Sequence, residues 1–211
     1  IGKKNLMLYH LYELQHAMLT PMRLQAEVTR TAFQNPLNPL SYTQLGRYIA
    51  AGAEMTERVT RRFEKPEFEL PETTIGGKKV SITEQIIADK PFCSLLHFKR
   101  ETKRNDPKVL IVAPMSGHFA TLLRGTVESL LPHHDVYITD WHDARQVPMR
   151  HGGFDLDDYI AYVRDFIHIL GPDVHLIAVC QPAVPVLAAI SLMASDKDPN
   201  QPLSMTLMGG P

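Results

Sequence analysis

The sequence has little cysteine and no excess of charge of either sign. Its 211 residues include only two cysteines, Cys93 and Cys180. These lie in different strand-like runs, so we expect no disulfide framework, and a reducing compartment is favoured. The 22 basic and 23 acidic side chains give a net charge of −1, which provides no electrostatic reason to expect a nucleic-acid partner. We therefore expect a cytoplasmic protein that does not bind nucleic acid.

Long apolar runs and metal-binding patterns are also missing from the sequence. No uninterrupted apolar stretch is long enough to span a bilayer, and the first residues lack the pattern of a signal peptide. The histidines and cysteines show no metal-ligand spacing, so we expect neither a metal nor another cofactor. What remains is an ordinary globular composition, 44% hydrophobic and 21% charged, with enough residues for one sizeable core and an appendage.

The two ends of the sequence are unusual for a natural domain. It begins at Ile1 without a methionine, and it stops at Pro211 directly after the strand-like run 203–208. At the carboxyl edge of a parallel strand, a loop and a helix should follow. We therefore expect the chain to be a fragment, cut at both ends and truncated after its last strand-like run, 203–208.

Residues 1–65 are predicted to form an N-terminal helical extension. Helical periodicity runs over residues 5–34, where Pro21 is expected to kink or divide the helix. A turn rich in proline and asparagine at 35–39 precedes a second predicted helix at 42–63.

Residues 66–211 are predicted to form an α/β domain. Strand-like runs at 68–75 and 79–82 flank two glycines at 76–77, which predicts a β-hairpin, and a further strand is expected at 92–98. Four short apolar runs then alternate with helical segments, at 109–113, 136–139, 174–179 and 205–208. This alternation predicts a mostly parallel central sheet with helices on both faces.

The helix that precedes the third of these apolar runs has clear start and stop signals. Asp155 is predicted as its N-cap, with Asp158 in the first turn, and Gly171 and Pro172 should end it.

Cys180 lies between the apolar run 174–179 and an alanine-rich segment that is predicted to be a helix. The local frame is Ala-Val-Cys-Gln-Pro at 178–182. An α/β-hydrolase places its nucleophile at this point, on a strained strand-to-helix turn of the form G-x-S-x-G. A small residue at 178 and a first-turn proline at 182 are compatible with such a turn. The positive end of the helix dipole would favour the thiolate form of the cysteine. A buried structural cysteine is the alternative, and position alone does not separate the two.

The segment 113–119 is predicted to supply part of an oxyanion hole. It follows the strand-like run 109–113 and precedes a helical run. In an α/β-hydrolase this loop supplies one backbone N–H, and the residue after the nucleophile supplies the other. We predict Gln181 for the latter and Ser116 for the former, with Met115 as the next choice. The alternative is an ordinary glycine-containing turn, which any α/β fold contains.

The catalytic acid and base are not evident in this sequence. Hydrolases of this fold order their triad as nucleophile, acid, histidine. After Cys180 there are only Asp196 and Asp198, which we interpret as solvated surface charge, and all ten histidines precede the cysteine. The side chains that could line the pocket are His118, Met115, Trp141 and His142. The alternative for the two histidines and Trp141 is packing within their loops.

Taken together, these motifs resemble the intracellular short-chain-length polyhydroxyalkanoate depolymerases. The matching segments are APMSGH at 113–118, ATLLR at 120–124, TDWHDAR at 139–145, VCQPAVP at 179–185, LYHLYEL at 8–14 and NPLNP at 35–39. The resemblance therefore extends over essentially the whole chain. It implies an α/β-hydrolase that uses Cys180 to hydrolyse poly(3-hydroxybutyrate) at cytoplasmic storage granules. The family's aspartate and histidine would lie downstream of Pro211, so residues 1–211 alone are expected to be inactive.

Two competing hypotheses remain at the level of sequence. A polyhydroxyalkanoate synthase also resembles an α/β-hydrolase with a cysteine nucleophile, but it polymerises acyl thioesters. Synthases keep glycines around the cysteine, whereas this sequence has Gln181 and Pro182, so we rank that hypothesis lower. The other hypothesis is a non-catalytic granule protein whose helical residues 1–65 bind the polymer. Release of hydroxybutyrate from polymer, or of coenzyme A from acyl-CoA, would separate the two enzymes.

Overall fold

The computed structural model describes residues 2–61, 65–115 and 119–210. The chain divides into two compact units, Ile1–Glu64 and Lys65–Pro211.

The first unit is a pair of helices, α1 (Gly2–Gln34) and α2 (Gln44–Thr60). The division predicted at Pro21 does not occur, because α1 runs through this residue without a break. Proline removes only one backbone hydrogen bond from the helix, and the turns on either side maintain it. The start of α2 is capped by Thr43, whose hydroxyl accepts a hydrogen bond from the Gly46 N–H at 3.0 Å.

The second unit contains a seven-stranded sheet. Its strands are β1 (Glu72–Ile75), β2 (Lys78–Asp89), β3 (Cys93–Arg100), β4 (Lys108–Val112), β5 (Asp135–Trp141), β6 (Val174–Val179) and β7 (Ser204–Met208), in the spatial order β1-β2-β3-β5-β4-β6-β7. The pairs from β5 through β4 and β6 to β7 are parallel, whereas β1, β2 and β3 add antiparallel pairs at one side. The predicted mostly parallel central sheet is confirmed.

The hairpin at the antiparallel side has the predicted turn. Gly76 and Gly77 connect β1 to β2 with φ angles of +56° and +79°. Such positive φ angles at both central positions favour glycine, because it has no Cβ.

Three helices connect the parallel strands: α3 (Arg124–Leu130) between β4 and β5, α4 (Leu156–Leu170) between β5 and β6, and α5 (Ala183–Ser195) between β6 and β7. The first connection moves in one direction across the sheet and the other two move in the opposite direction. Because such crossovers are right-handed, α3 lies on one face and α4 and α5 lie on the other. Contacts between α4 and α5 agree with this placement.

The ends of α4 follow their predicted signals. The Asp155 carboxylate accepts hydrogen bonds from the N–H groups of Asp157 and Asp158, and the Asp158 carboxylate accepts one from the Asp155 N–H at 3.0 Å. This reciprocal arrangement is a capping box. Gly171 ends the helix with a φ of +80°.

The core of the second unit lies on both sides of β4. Val109, Leu110, Ile111 and Val112 are each no more than 3% exposed. A central parallel strand is covered on both faces, which is why its sequence is continuously apolar rather than alternating. The strand therefore fixes the position of the loop that begins at Ala113.

Candidate active site

Cys180 occupies a strained turn between β6 and α5. Its φ is +66°, and its side chain is exposed. Residues other than glycine rarely adopt this left-handed region, which costs roughly 1–3 kcal/mol. The surrounding backbone holds the turn, because the Cys180 N–H donates to the Met208 carbonyl at 2.7 Å and the Cys180 carbonyl accepts from the Ala183 N–H at 3.0 Å. A strained, exposed residue between a strand and a helix is the geometry of a nucleophile elbow.

The two prolines near the elbow occupy positions where they cost no helical hydrogen bond. Pro182 precedes the first residue of α5 and has a φ of −60°, and Pro185 lies in the first turn. N–H groups at the start of a helix have no intrahelical partner, so proline is accepted there. The sequence can therefore build the turn without a glycine at position 182.

The two cysteines differ sharply in environment. Cys93 is fully buried in β3, and this burial raises the pKa of its thiol well above the usual value. Cys180 is exposed instead. The alternative of a buried structural cysteine is therefore wrong for Cys180, although it describes Cys93.

The loop after β4 begins from a backbone position that three side chains hold. The Ala113 N–H donates to the Thr139 hydroxyl at 2.8 Å. The Ala113 carbonyl accepts from the Trp141 indole N–H at 2.8 Å and from the Tyr159 hydroxyl at 3.2 Å. Burial raises the pKa of Tyr159, so its hydroxyl keeps its proton and remains a donor. The start of this loop is thus fixed relative to β5 and α4.

The loop after β4 and the elbow after β6 follow neighbouring parallel strands. The chain leaves β4 toward α3 on one face and leaves β6 toward α5 on the other. Such a switch point opens a crevice outside the carboxyl ends of the strands, where ligands of α/β proteins bind. One hydrogen bond spans this crevice, from the Met115 N–H to the Gln181 side-chain oxygen Oε1 at 2.9 Å.

The predicted site residues have different surroundings. Ser116 and His118 lie outside the described residues. Met115 is partly buried and meets Gln181 beside Cys180. Trp141 is only 5% exposed and packs edge-to-face against Tyr159, with ring centroids 4.4 Å apart. Its ring packs in the core, and its indole N–H donates to the Ala113 carbonyl.

His142 belongs to a polar cluster at the carboxyl end of β5. Its Nε2 lies 2.8 Å from the Ser94 hydroxyl, and its Nδ1 lies 3.1 Å from the Pro91 carbonyl. Ser94 in turn donates to Asp89 at 2.7 Å. Sequence reasoning missed Ser94 and Asp89, because 48 residues separate Ser94 from His142 and only the pairing of β3 with β5 brings them together.

The two aspartates that follow the cysteine are engaged with α4. Asp196 forms an ion pair with Arg164 at 2.9 Å, and Asp198 lies 2.6 Å from His168 Nε2. The Asn200 N–H and His168 hold the pKa of Asp198 below its usual value. The Asp196 side chain is 55% exposed, as expected for surface charge. The Asp198 side chain is only 10% exposed and is held by His168 and the Asn200 N–H, so it is less solvated than the sequence predicts.

The described part of the chain holds neither a metal-binding cluster nor a membrane-spanning helix. Within residues 2–61, 65–115 and 119–210, no group of three or more His, Cys, Asp or Glu side chains could hold a metal ion. Among the helices that the structure describes, none combines the length and apolar character needed to cross a membrane.

No protein-family model and no curated protein matches the chain. Among solved structures, it is similar to a predicted CIB-like hydrolase from Thermoplasma acidophilum, with 11% identity, a TM-score of 0.41, and coverage of 62% of this chain and 64% of the other. It is also similar to an α/β-hydrolase enzyme from the metagenome of Lake Arreo, Spain, with 13% identity, a TM-score of 0.44, and coverage of 89% and 58%.

The chain therefore spans between about half and two thirds of the length of the solved structures it matches. The mostly parallel sheet, its connecting helices and the strained turn at Cys180 agree with the α/β-hydrolase fold that the sequence predicts.

Proposed function

We propose that this chain carries the nucleophile and the oxyanion hole of a cysteine-dependent carboxylic ester hydrolase. The observation that supports the proposal most directly is the exposed Cys180 with a φ of +66° at the β6–α5 turn. The backbone strain is useful there because it presents the thiol at the edge of the sheet, beside the crevice between β4 and β6.

The proposed reaction proceeds through a thioester. The Cys180 thiolate attacks the ester carbonyl carbon, and the carbonyl oxygen becomes an oxyanion. The N–H of Gln181 and an N–H from the loop after β4 stabilise this oxyanion. When the intermediate collapses, the C–O bond breaks, the alcohol leaves with a proton, and the acyl group remains on Cys180. Water then hydrolyses the thioester and releases the carboxylic acid.

The base for these proton transfers is proposed to lie outside residues 1–211. In the polyhydroxyalkanoate depolymerases that the sequence resembles, the acid and histidine follow the nucleophile, but residues 181–211 contain no histidine. Asp196 pairs with Arg164, and Asp198 pairs with His168. Because both carboxylates are engaged with α4, neither is proposed as the catalytic acid.

The proposed substrate is poly(3-hydroxybutyrate) or its oligomers, at the surface of cytoplasmic granules. Support comes from the motifs around the oxyanion loop and the elbow, above all the Cys-Gln-Pro sequence at 180–182. A synthase would keep glycines next to the cysteine, and a purely structural granule protein would not need a strained, exposed thiol.

The test uses the full-length protein that contains this chain, with amorphous poly(3-hydroxybutyrate) granules and with soluble 3-hydroxybutyrate esters as substrates. We expect hydroxybutyrate release that Cys180→Ala abolishes, that Cys180→Ser partly retains, and that the control Cys93→Ala leaves near the unmodified level. Unchanged release by Cys180→Ala would remove this residue from the mechanism. Release of coenzyme A from hydroxybutyryl-CoA would instead favour the synthase.

A further inference from the structure

We propose that the Gln181 side chain is a positioning residue that clamps the loop after β4 to the elbow. In doing so it takes up the Met115 N–H and leaves the oxyanion to an amide farther along that loop. The effect on catalysis rests on the proposed function. The clamp itself is a property of the fold and can be tested without any substrate.

The first support is the position of the hydrogen bond between Met115 N and Gln181 Oε1. It is 2.9 Å long, joins residues 66 positions apart, and spans the crevice between neighbouring strands. One end belongs to Gln181, which directly follows Cys180. The Cys180 N–H is itself bonded to the Met208 carbonyl. A side chain that starts from such a constrained backbone can hold the opposite loop at a defined distance from the thiol.

The second support is a count of the backbone donors at the start of the loop. The Ala113 N–H is bonded to the Thr139 hydroxyl. Pro114 has no N–H group. The Met115 N–H is bonded to Gln181. Every donor from 113 to 115 is therefore used or absent, so while the clamp holds, the loop can offer an oxyanion only the N–H groups that follow Met115.

The hydrogen bond to Gln181 separates the two candidates for the oxyanion donor, Ser116 and Met115. Sequence alone ranked Ser116 first and Met115 second. Because the Met115 N–H is engaged by Gln181, we keep Ser116 as first choice and set Met115 aside. Gln181 then has two separate tasks, because its backbone N–H is the proposed oxyanion donor while its side chain accepts from the Met115 N–H of the other loop.

A side chain that positions the loop and a side chain that blocks a needed donor have opposite effects on the reaction rate. If the side chain positions the loop, its removal misplaces the second donor, and misplacement of this kind lowers kcat by roughly 10- to 100-fold. If the side chain instead blocks a donor that the substrate needs, its removal raises kcat. We expect the fall in kcat, with KM changed less than about threefold, because the donor acts mainly on the transition state.

The experiment compares Gln181→Met, which keeps the length of the side chain but removes the acceptor, with Gln181→Glu, which keeps an acceptor oxygen. Gln25→Met, on an exposed position of α1, is the matched control. Residue-resolved hydrogen exchange of the Met115 amide and steady-state ester hydrolysis are measured on the full-length protein. Gln181→Met should speed exchange at Met115 at least about tenfold and lower kcat. Gln181→Glu should keep the amide protected, and Gln25→Met should change neither quantity.

Two results would overturn the clamp. Unchanged Met115 exchange in Gln181→Met would show that the hydrogen bond does not protect this amide in solution. Faster exchange together with a raised kcat would show that the Gln181 side chain blocks a donor rather than positioning the loop. If the unmodified protein hydrolyses no ester, the proposed function fails, while the exchange measurement still decides whether Gln181 holds the loop.

Discussion

Gly210 lies directly against Ala183, the first residue of α5, with no space for a side chain between them. A Cβ built on Gly210 would overlap the Ala183 Cβ and would lie 3.7 Å from the Cys180 carbonyl oxygen. In a G-x-S-x-G elbow, the glycines belong to the elbow itself. Here Pro182 stands where the second of those glycines would be, and a glycine from the segment after β7 permits a close approach to the elbow.

Gly210→Ala should therefore disturb the elbow. The Ala183 methyl group has no rotamer that would make room, so the backbone must shift, and such overpacking costs roughly 1–3 kcal/mol. We expect a lower urea midpoint of unfolding and slower reaction of Cys180 with a thiol reagent. Gly125→Ala in α3, where a new Cβ meets nothing within 4 Å, is the control and should not destabilise the protein. Recovery in Gly210→Ala combined with Ala183→Gly would confirm the contact, and equal effects at 210 and 125 would contradict it.

The paired donors on the Ala113 carbonyl predict a non-additive effect on stability. Tyr159→Phe leaves the Trp141 donor in place and should cost about 1 kcal/mol or less. Trp141→Phe costs more, because it also removes part of a buried ring. With both changes the buried carbonyl loses both side-chain donors, and we expect roughly 1 kcal/mol beyond the sum of the single effects. Urea unfolding of the four proteins measures this coupling, and strict additivity would show that the carbonyl finds another donor.

The different burial of the two cysteines predicts selective labelling. Iodoacetamide at neutral pH should modify Cys180 in the folded protein and leave Cys93 unmodified, because Cys93 is fully buried and burial raises the pKa of its thiol. Peptide mass spectrometry locates the label. In urea both cysteines should react, which controls for detection. Rapid labelling of Cys93 in the folded state would contradict the structure.

Asp135 predicts a pH dependence of stability. Burial alone would raise the pKa of this carboxyl, but the hydrogen bond and charge of His97, together with the Tyr137 hydroxyl, outweigh burial and hold the pKa below its usual value. A carboxyl with a lower pKa in the folded state stabilises the protein above the unfolded pKa of about 4, and this contribution is lost as the pH falls through the folded value.

Asp135→Asn should accordingly lower the free energy of unfolding at pH 7, with a difference from the unmodified protein that shrinks below about pH 4. Chemical unfolding at a series of pH values measures it. The exposed Asp173→Asn serves as the control and should show little effect throughout. A difference at Asp135 that grows toward low pH would reverse the proposed sign.

Local sequence patterns determined most of the second unit. The apolar run at 109–113 predicted a buried strand, which is β4 (Lys108–Val112), and the capping signals at Asp155 and Gly171 marked the two ends of α4 correctly. The glycines at 76 and 77 similarly determined the hairpin. These predictions held because periodicity, caps and turn residues act within a few positions of the chain.

The tertiary structure alone decided which groups meet at the candidate site. Nothing local in the sequence links Met115 to Gln181, or Gly210 to Ala183, since each contact depends on neighbouring parallel strands that are far apart along the chain. The sequence placed Cys180 at a strand-to-helix junction. Its φ of +66° is held by the hydrogen bonds to Met208 on β7 and to Ala183 at the start of α5, because long-range packing can hold a backbone conformation that local preferences disfavour.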